Sequence, residues 1–232
     1  MTRSYEQYCP LARALDVIGD RWTLLVLREL FIAPKRFTDL QQRLAGMAPN
    51  LLSKRLKELE AGGLVSRRRL DPPAASQVYE LTERAKGLET AMLELSRWGV
   101  QFLGSYREDE AIQTEWLLPA LEEFADRDAA RGVSENYEFR IDGAVFWVKV
   151  ADGDVAVRPG HASEEVDLFV ESDMETFVGL GLGTISGKEA KASGRHRVIG
   201  DPRTARRALR ILSPGRVFST LSARSSEAAT RA

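Results

Sequence analysis

"RFTDLQQRLAGMAPNLLSKRLKELEAGGLVSRRRL", residues 36–70, changes its pattern twice. Leu40 and Leu44 stand four apart, the spacing of one helix face; Thr38 offers a capping hydroxyl and Gly46 ends the run. Pro49 then suits the first position of a second helix, which Gly62 and Gly63 close. A helix, a short glycine-containing turn and a second helix form a helix-turn-helix. With Leu52, Leu56 and Leu59 facing a core, Asn50, Ser53, Lys54 and Lys57 fall on the opposite face and Arg55 on its flank. Residues 64–70 and 77–82 are β-prone and flank the turn-forming "DPPAAS", which predicts a hairpin carrying Arg67, Arg68 and Arg69.

This combination points to duplex DNA. A helix fits the major groove, where Asn, Ser and Lys can hydrogen-bond base edges or phosphates. Arginines on an adjoining ribbon would cross phosphates or enter the minor groove as a wing. Residues 35–69 carry nine basic side chains, Arg36 among them, against Asp39, Glu58 and Glu60, the electrostatic footprint of a phosphate-binding surface. Each feature also has a plainer reading. Lys and Ser are common on any solvated helix face, and charges on an edge strand discourage sheet-to-sheet pairing.

Upstream, Leu11, Ala14, Leu15 and Ile18 recur at helical spacing up to Gly19, and "RWTLLVLREL" resumes an apolar helix before Pro34. Downstream, Leu88, Met92, Leu95, Trp98 and Phe102 predict one long amphipathic helix over residues 83–103. The polar stretch "GSYREDEAIQ", residues 104–113, lacks apolar periodicity and marks a boundary, so residues 1–107 are assigned to a first domain. After a helix around "WLLPALEEFAD", the segments "YEFRIDG", "AVFWVKVADG" and "DVAVRPG" predict a three-stranded meander with "DG" turns. "VDLFVES" and "RHRVIGD" add two strands, while "DMETFVGLGLG", "SGKEAKASG" and "PRTARRALRIL" read as helices. The expected class is α+β: a winged helix-turn-helix, then an α+β domain over residues 108–215 with a five-stranded sheet. Residues 216–232 have little apolar content and are expected to form a flexible tail.

Bulk properties fit this division. Apolar residues make up 44% and charged residues 29%, typical of a globular chain that buries a core. The net charge of −1 conceals a split: residues 1–107 carry 17 Lys and Arg against 12 Asp and Glu, and residues 108–232 carry 16 against 22. The two parts therefore expect different partners. No apolar run approaches the length of a membrane span, so the expected location is the cytoplasm, at the nucleoid. A single cysteine excludes an internal disulfide and a cysteine-cluster metal site, and two histidines leave little for another; neither metal nor cofactor is expected. "GLGLG" lacks the spacing of a dinucleotide loop and the lysine of a phosphate loop. No G-x-S-x-G elbow occurs, and His161 and His196 read as surface residues, so an enzyme is not expected.

"CPLARALDVIGDRWTLLVLREL", "RFTDLQQRLAGMAPNLLSKRLKELEAGGLVSR" and "YELTERAKGLETAMLELSRWG" occur in this order and at these spacings over about residues 8–100. Together they resemble the HxlR family of winged-helix transcriptional regulators. The resemblance implies a bacterial homodimer joined through the first and last helices of that domain, with the helix over residues 49–62 in the major groove. Half-sites of its palindromic operator would lie about one or more helical turns apart. Ala48 departs from the Ser or Thr that such families often place before this helix.

Over about residues 113–215 the strand order and "DLFVESDMETFVGLGLGTISGKEAKASGRHRVIGD" resemble the sterol carrier protein type two fold. That resemblance implies an apolar tunnel and a hydrophobic small-molecule effector. Candidate lining residues are Phe146, Val148, Phe169, Phe177, Leu180 and Leu182, all of which would equally serve as ordinary core. The alternative function is a lipid or hydrophobic-ligand carrier whose helical domain mediates protein contacts.

Within HxlR-like regulators a cysteine at the position of Cys9 recurs and in some members senses oxidants or electrophiles. Cys9 is thus a candidate redox sensor at a helix start, with Arg13 one turn on; its alternative is a packed structural thiol.

Overall fold

A computed structural model describes residues 4–71, 75–103, 107, 110 and 113–213. The proposed tail, the tip of the predicted hairpin and most of the polar boundary stretch lie outside the described residues. The chain divides into two compact units, Met1–Leu95 and Ser96–Ala232, within a helix that runs from one into the other.

The first unit runs α1 (Pro10–Ile18), α2 (Thr23–Ile32), α3 (Phe37–Arg43), α4 (Pro49–Ala61), β1 (Val65–Arg69), β2 (Gln77–Leu81), α5 (Glu83–Lys86) and α6 (Glu89–Gly99). α2 is apolar on most sides, and Val26 and Leu27 are fully buried. Leu40 and Leu44 of the first helix-turn-helix segment and Leu52, Leu56 and Leu59 of α4 pack in the same core. Each such leucine contributes roughly 1.5–3 kcal/mol of burial. The turn between α3 and α4 is held at both ends. Gly46 takes φ +88°, a left-handed conformation that suits a residue without a Cβ, and the Gln41 side-chain amide donates to the Met47 carbonyl at 2.6 Å.

Two local expectations are corrected. Thr38 lies inside α3 and caps nothing; instead the Asp39 carboxylate accepts the Arg36 backbone N–H at 3.0 Å. The single helix predicted over residues 83–103 is three pieces: α5, α6 and a 3-10 turn at Val100–Phe102. The Thr82 hydroxyl starts α5 by accepting the Ala85 N–H, and Gly87 ends it. Apolar periodicity persists through the break because both helices lie over the same core, so spacing alone did not show it.

The second unit comprises α7 (Thr114–Glu123), β3 (Ser134–Ile141), β4 (Ala144–Ala151), β5 (Asp154–Pro159), β6 (Leu168–Ser172), α8 (Met174–Leu182), α9 (Gly187–Ala192), β7 (His196–Gly200) and α10 (Pro202–Leu212). Its sheet has the order β5-β4-β3-β6-β7, antiparallel throughout except for the central β3–β6 pair. Asp142-Gly143 and Asp152-Gly153 have positive φ at both positions, the twist that closes tight hairpins and produces the meander. Alternate residues such as Tyr137, Phe139, Phe146, Val148, Leu168 and Val170 face a core shared with α7, α8 and α10. No helix among the described residues is long and apolar enough to cross a membrane, and no group of three or more His, Cys, Asp or Glu among them could hold a metal ion.

Candidate nucleic-acid interface

α4 begins at Pro49, whose fixed φ suits the first helical position, with Ala48 as its uncapped N-terminal residue. Burial of Leu52, Leu56 and Leu59 fixes the rotation of the helix. Asn50, Lys54 and Lys57 are consequently exposed and Ser53 half-buried. Lys54 lies 3.9 Å from Glu58, a loose exposed pair that leaves the ammonium available to an incoming anion.

Arg55 departs from the expected interface. It is 8% exposed, and its guanidinium is shared between Asp20, in the turn linking α1 to α2, and Glu58 of its own helix. Buried and paired through one guanidinium nitrogen, Arg55 ties α4 to the turn between α1 and α2, while its Nε is buried without a hydrogen-bond partner. A buried carboxylate does similar work on the preceding helices: Glu29 of α2 is fully buried and contacts Arg43 of α3 at 2.7 Å and Arg28 at 2.9 Å.

β1 and β2 form the predicted ribbon, with Arg67 opposite Tyr79 and Arg69 opposite Gln77. Arg67, Arg68 and Arg69 are all exposed. Arg67 donates to Glu60 at the end of α4 at 2.7 Å and lies over the Tyr79 ring at 5.3 Å, while Arg68 donates to Glu80 at 2.8 Å. Arg69 has no side-chain partner among the described residues. The ribbon gains a further rung that the sequence did not reveal: Lys35 exchanges backbone hydrogen bonds with Tyr79 at 3.0 and 2.8 Å. This rung fixes exposed Arg36, the next residue, beside the wing. Asn50, Lys54, Lys57 and the wing arginines therefore belong to consecutive elements of one unit, joined by the α4–β1 turn and the Glu60–Arg67 pair.

Cys9 is the half-buried residue before Pro10 and stands as the N-cap of α1 without a side-chain cap bond. Its expected cationic neighbour is engaged elsewhere, since the Arg13 guanidinium donates to Ser4 at 3.1 Å and to Asp16 at 3.3 Å. The stripe on α1 has an unusual orientation: Leu11 is 67% and Leu15 39% exposed, and Tyr5 and Tyr8 beside it are also exposed. α6 contains no fully buried residue and exposes Leu95 and Trp98.

In the second unit the six predicted lining residues separate. Phe146 and Val148 are completely buried, and Phe146 stacks on Phe139 at 5.1 Å while Phe177 meets both rings edge-on at 5.5 and 6.1 Å. These side chains close on one another as core. Phe169 alternates to the other sheet face, beneath the Arg140 guanidinium at 5.5 Å. Only Leu180 and Leu182 of the six line a cleft, of about 730 Å³, between the end of α8, the turn into α9, and α10. The glycines of "GLGLG" shape that turn: a Cβ on Gly179 would stand 2.5 Å from Ile185, and Gly183 ends α8 at φ +77°.

Sequence reasoning missed the cleft's other wall, although Arg203, Arg206, Arg207 and Arg210 recur at helical spacing. Arg207 is anchored by Glu135, whose carboxylate also accepts the Tyr137 hydroxyl at 2.6 Å. Burial pushes the Glu135 carboxyl upward, but Arg207, Tyr137 and Thr204 outweigh it and hold the group below its ordinary value. His161 is exposed and meets Glu138 at 3.1 Å; His196 is half-buried, its Nδ1 3.2 Å from Ser172 Oγ, and burial lowers its pKa. Ser172 is itself buried at the end of β6, unlike an accessible nucleophile.

The family model for the HxlR-like helix-turn-helix matches residues 17–107, and that for the SCP-2 sterol transfer family matches residues 117–213. The uncharacterized HTH-type transcriptional regulator YvaP of Bacillus subtilis is 31% identical over 98 residues, 42% of this chain and 91% of that protein. The HTH-type transcriptional regulator YodB of the same organism is 33% identical over 95 residues, covering 40% and 85% respectively. A solved structure of YodB in its reduced form aligns at 30% identity over 44% of this chain and 100% of that one, with a TM-score of 0.38.

Proposed function

Because the chain belongs to the HxlR-like helix-turn-helix family, we propose that it is a transcriptional regulator that binds duplex DNA as a homodimer in the cytoplasm, at the nucleoid. α4 enters the major groove, where Asn50, Ser53, Lys54 and Lys57 reach base edges and phosphates. Arg36, Arg67, Arg68 and Arg69 clamp the flanking backbone. The observation that carries this reading is the polar, cationic face of α4 beside a ribbon of three exposed arginines. The exposed apolar residues of α1 and α6 supply the surface for a second copy, since stripes of this kind are normally covered by a partner. Cys9, at the start of α1, is the thiol through which oxidants or electrophiles would act on that surface.

Residues 1–107 thus carry DNA binding and dimerisation. Residues 108–215, with their SCP-2 family match, receive a hydrophobic small molecule that changes DNA affinity by favouring one conformation over another. The role is regulatory, not catalytic. Selection of bound fragments from genomic DNA followed by footprinting tests the reading. The expected result is protection of an inverted repeat with half-sites one or more helical turns apart; protection of a single isolated half-site would overturn the homodimer.

A further inference from the structure

α10 buries one side and leaves the other bare. Thr204, Ala208, Ile211 and Leu212 are buried against the sheet, while Arg203, Arg206, Leu209 and Arg210 are exposed. Arg207, between them, is held by Glu135. The guanidinium groups of Arg203, Arg206 and Arg210 have no acidic partner among the described residues, and no Asp or Glu lines the cleft they border. Elsewhere in this unit, exposed arginines such as Arg140, Arg158 and Arg195 each find a carboxylate. Three like charges left uncompensated on one short helix repel each other, in a part of the chain with an excess of acidic residues to spare.

Facing these arginines is an apolar wall of Leu180, Leu182 and Ile185, joined by Leu209, which is 41% exposed. A wall of that kind does not suit a bare inorganic anion, and three guanidinium groups do not suit a neutral hydrocarbon. A ligand with an apolar body and an anionic head satisfies both, because charge-assisted hydrogen bonds form at the rim while the body leaves water. Beyond Ser213 the sequence is itself net basic, with Arg216, Arg224 and Arg231 against Glu227.

We propose that the cleft between α8, the α8–α9 turn and α10 binds a small organic anion, its acidic head read by Arg203, Arg206 and Arg210 and its apolar body laid on Leu180, Leu182, Ile185 and Leu209. This rests on the reading of the second unit as a ligand receiver and adds the charge of the ligand and the residues that select it. The site is distinct from the interior between sheet and helices, which Phe139, Phe146 and Phe177 fill.

A matched pair of dyes tests it on the full chain. 1-Anilinonaphthalene-8-sulfonate and N-phenyl-1-naphthylamine share a carbon body and differ in the sulfonate, and both report binding by fluorescence. The sulfonate is expected to bind about tenfold tighter or more, and Arg203→Gln/Arg206→Gln/Arg210→Gln to remove that preference without changing the neutral dye or the thermal melt. Equal binding of the two dyes, or sulfonate binding untouched by the triple substitution, overturns the proposal. If the dyes bind equally yet shift duplex affinity, the ligand-receiver reading survives while this site fails. If neither dye binds nor shifts duplex affinity, both readings fail. If the triple variant loses duplex affinity with no change in dye binding, the arginines serve DNA phosphates and the proposal is likewise overturned.

Discussion

Arg55 on the outward helix of the helix-turn-helix turns back to Asp20, in the corner between α1 and α2, and is 8% exposed. A cationic side chain on the helix proposed to enter the major groove is thereby spent on holding that helix. Arg55→Ala is expected to lower stability by about 1–3 kcal/mol, seen as a reduced Tm, because Asp20 and Glu58 lose their shared donor. Measured well below that Tm, the salt dependence of DNA binding should be unchanged. A reduced salt slope for Arg55→Ala would return this residue to the DNA surface.

The wing arginines are partly neutralised before DNA arrives. Glu60 holds Arg67 and Glu80 holds Arg68, both at exposed positions where such pairs contribute roughly 0.2–1 kcal/mol. On the proposed placement of DNA, phosphates would displace these carboxylates. Glu60→Gln and Glu80→Gln should each tighten duplex binding by about two- to fivefold in low salt, since the competitor is removed and the arginine remains. Weaker binding in a fluorescence titration of both variants would mean that the carboxylates order the wing more than they compete for it.

Leu11 is 67% exposed on α1, two residues from Cys9. Leu11→Glu is expected to convert a dimer into monomers in sedimentation velocity and to weaken operator binding, because a charge buried at a dimer interface goes unpaired. Dimeric protein treated with diamide should form a disulfide between two Cys9 thiols, each losing its hydrogen to the diamide, with a change in DNA affinity. An unmodified Cys9 by mass spectrometry, with affinity unchanged, would end its role as a sensor.

Glu135 ties β3 to α10 through Arg207 and lies below its ordinary carboxylate pKa. The depressed folded value means the unfolded chain binds the proton more readily, so its contribution is complete above the unfolded value and is lost as pH falls through the folded one. Acidification through and below the ordinary carboxylate range should therefore lower the stability of the second unit. Glu135→Gln should flatten that part of the stability-versus-pH curve; an identical pH profile for the variant would show that other groups carry the effect.

The sequence made the order of elements legible because turns and periods agree locally. Pro49 and Gly62 bracket α4, two "DG" pairs close the meander, and Leu52, Leu56 and Leu59 set which side of α4 faces outward. Pairings between distant residues were illegible. Nothing near Arg55 announces Asp20, 35 positions away, and nothing near Tyr79 announces Lys35. The lining of the second unit failed for a related reason: Phe146, Phe177 and Leu180 share one apolar grammar, and only the packing decides which close into core and which border a cleft. The arginine row of α10 was visible as a spacing, but that Arg207 finds Glu135 while Arg203, Arg206 and Arg210 find no acidic partner among the described residues is a three-dimensional fact.

The most direct test of the DNA-binding account is a titration of the protein against labelled duplex over a range of salt. With about six phosphate contacts, log K should fall against log salt with a slope near −5, and Lys54→Ala and Arg68→Ala should each reduce that slope by about 1. A flat salt response, or slopes and affinities in both variants equal to those of the parent protein, would contradict the placement of DNA on α4 and the wing.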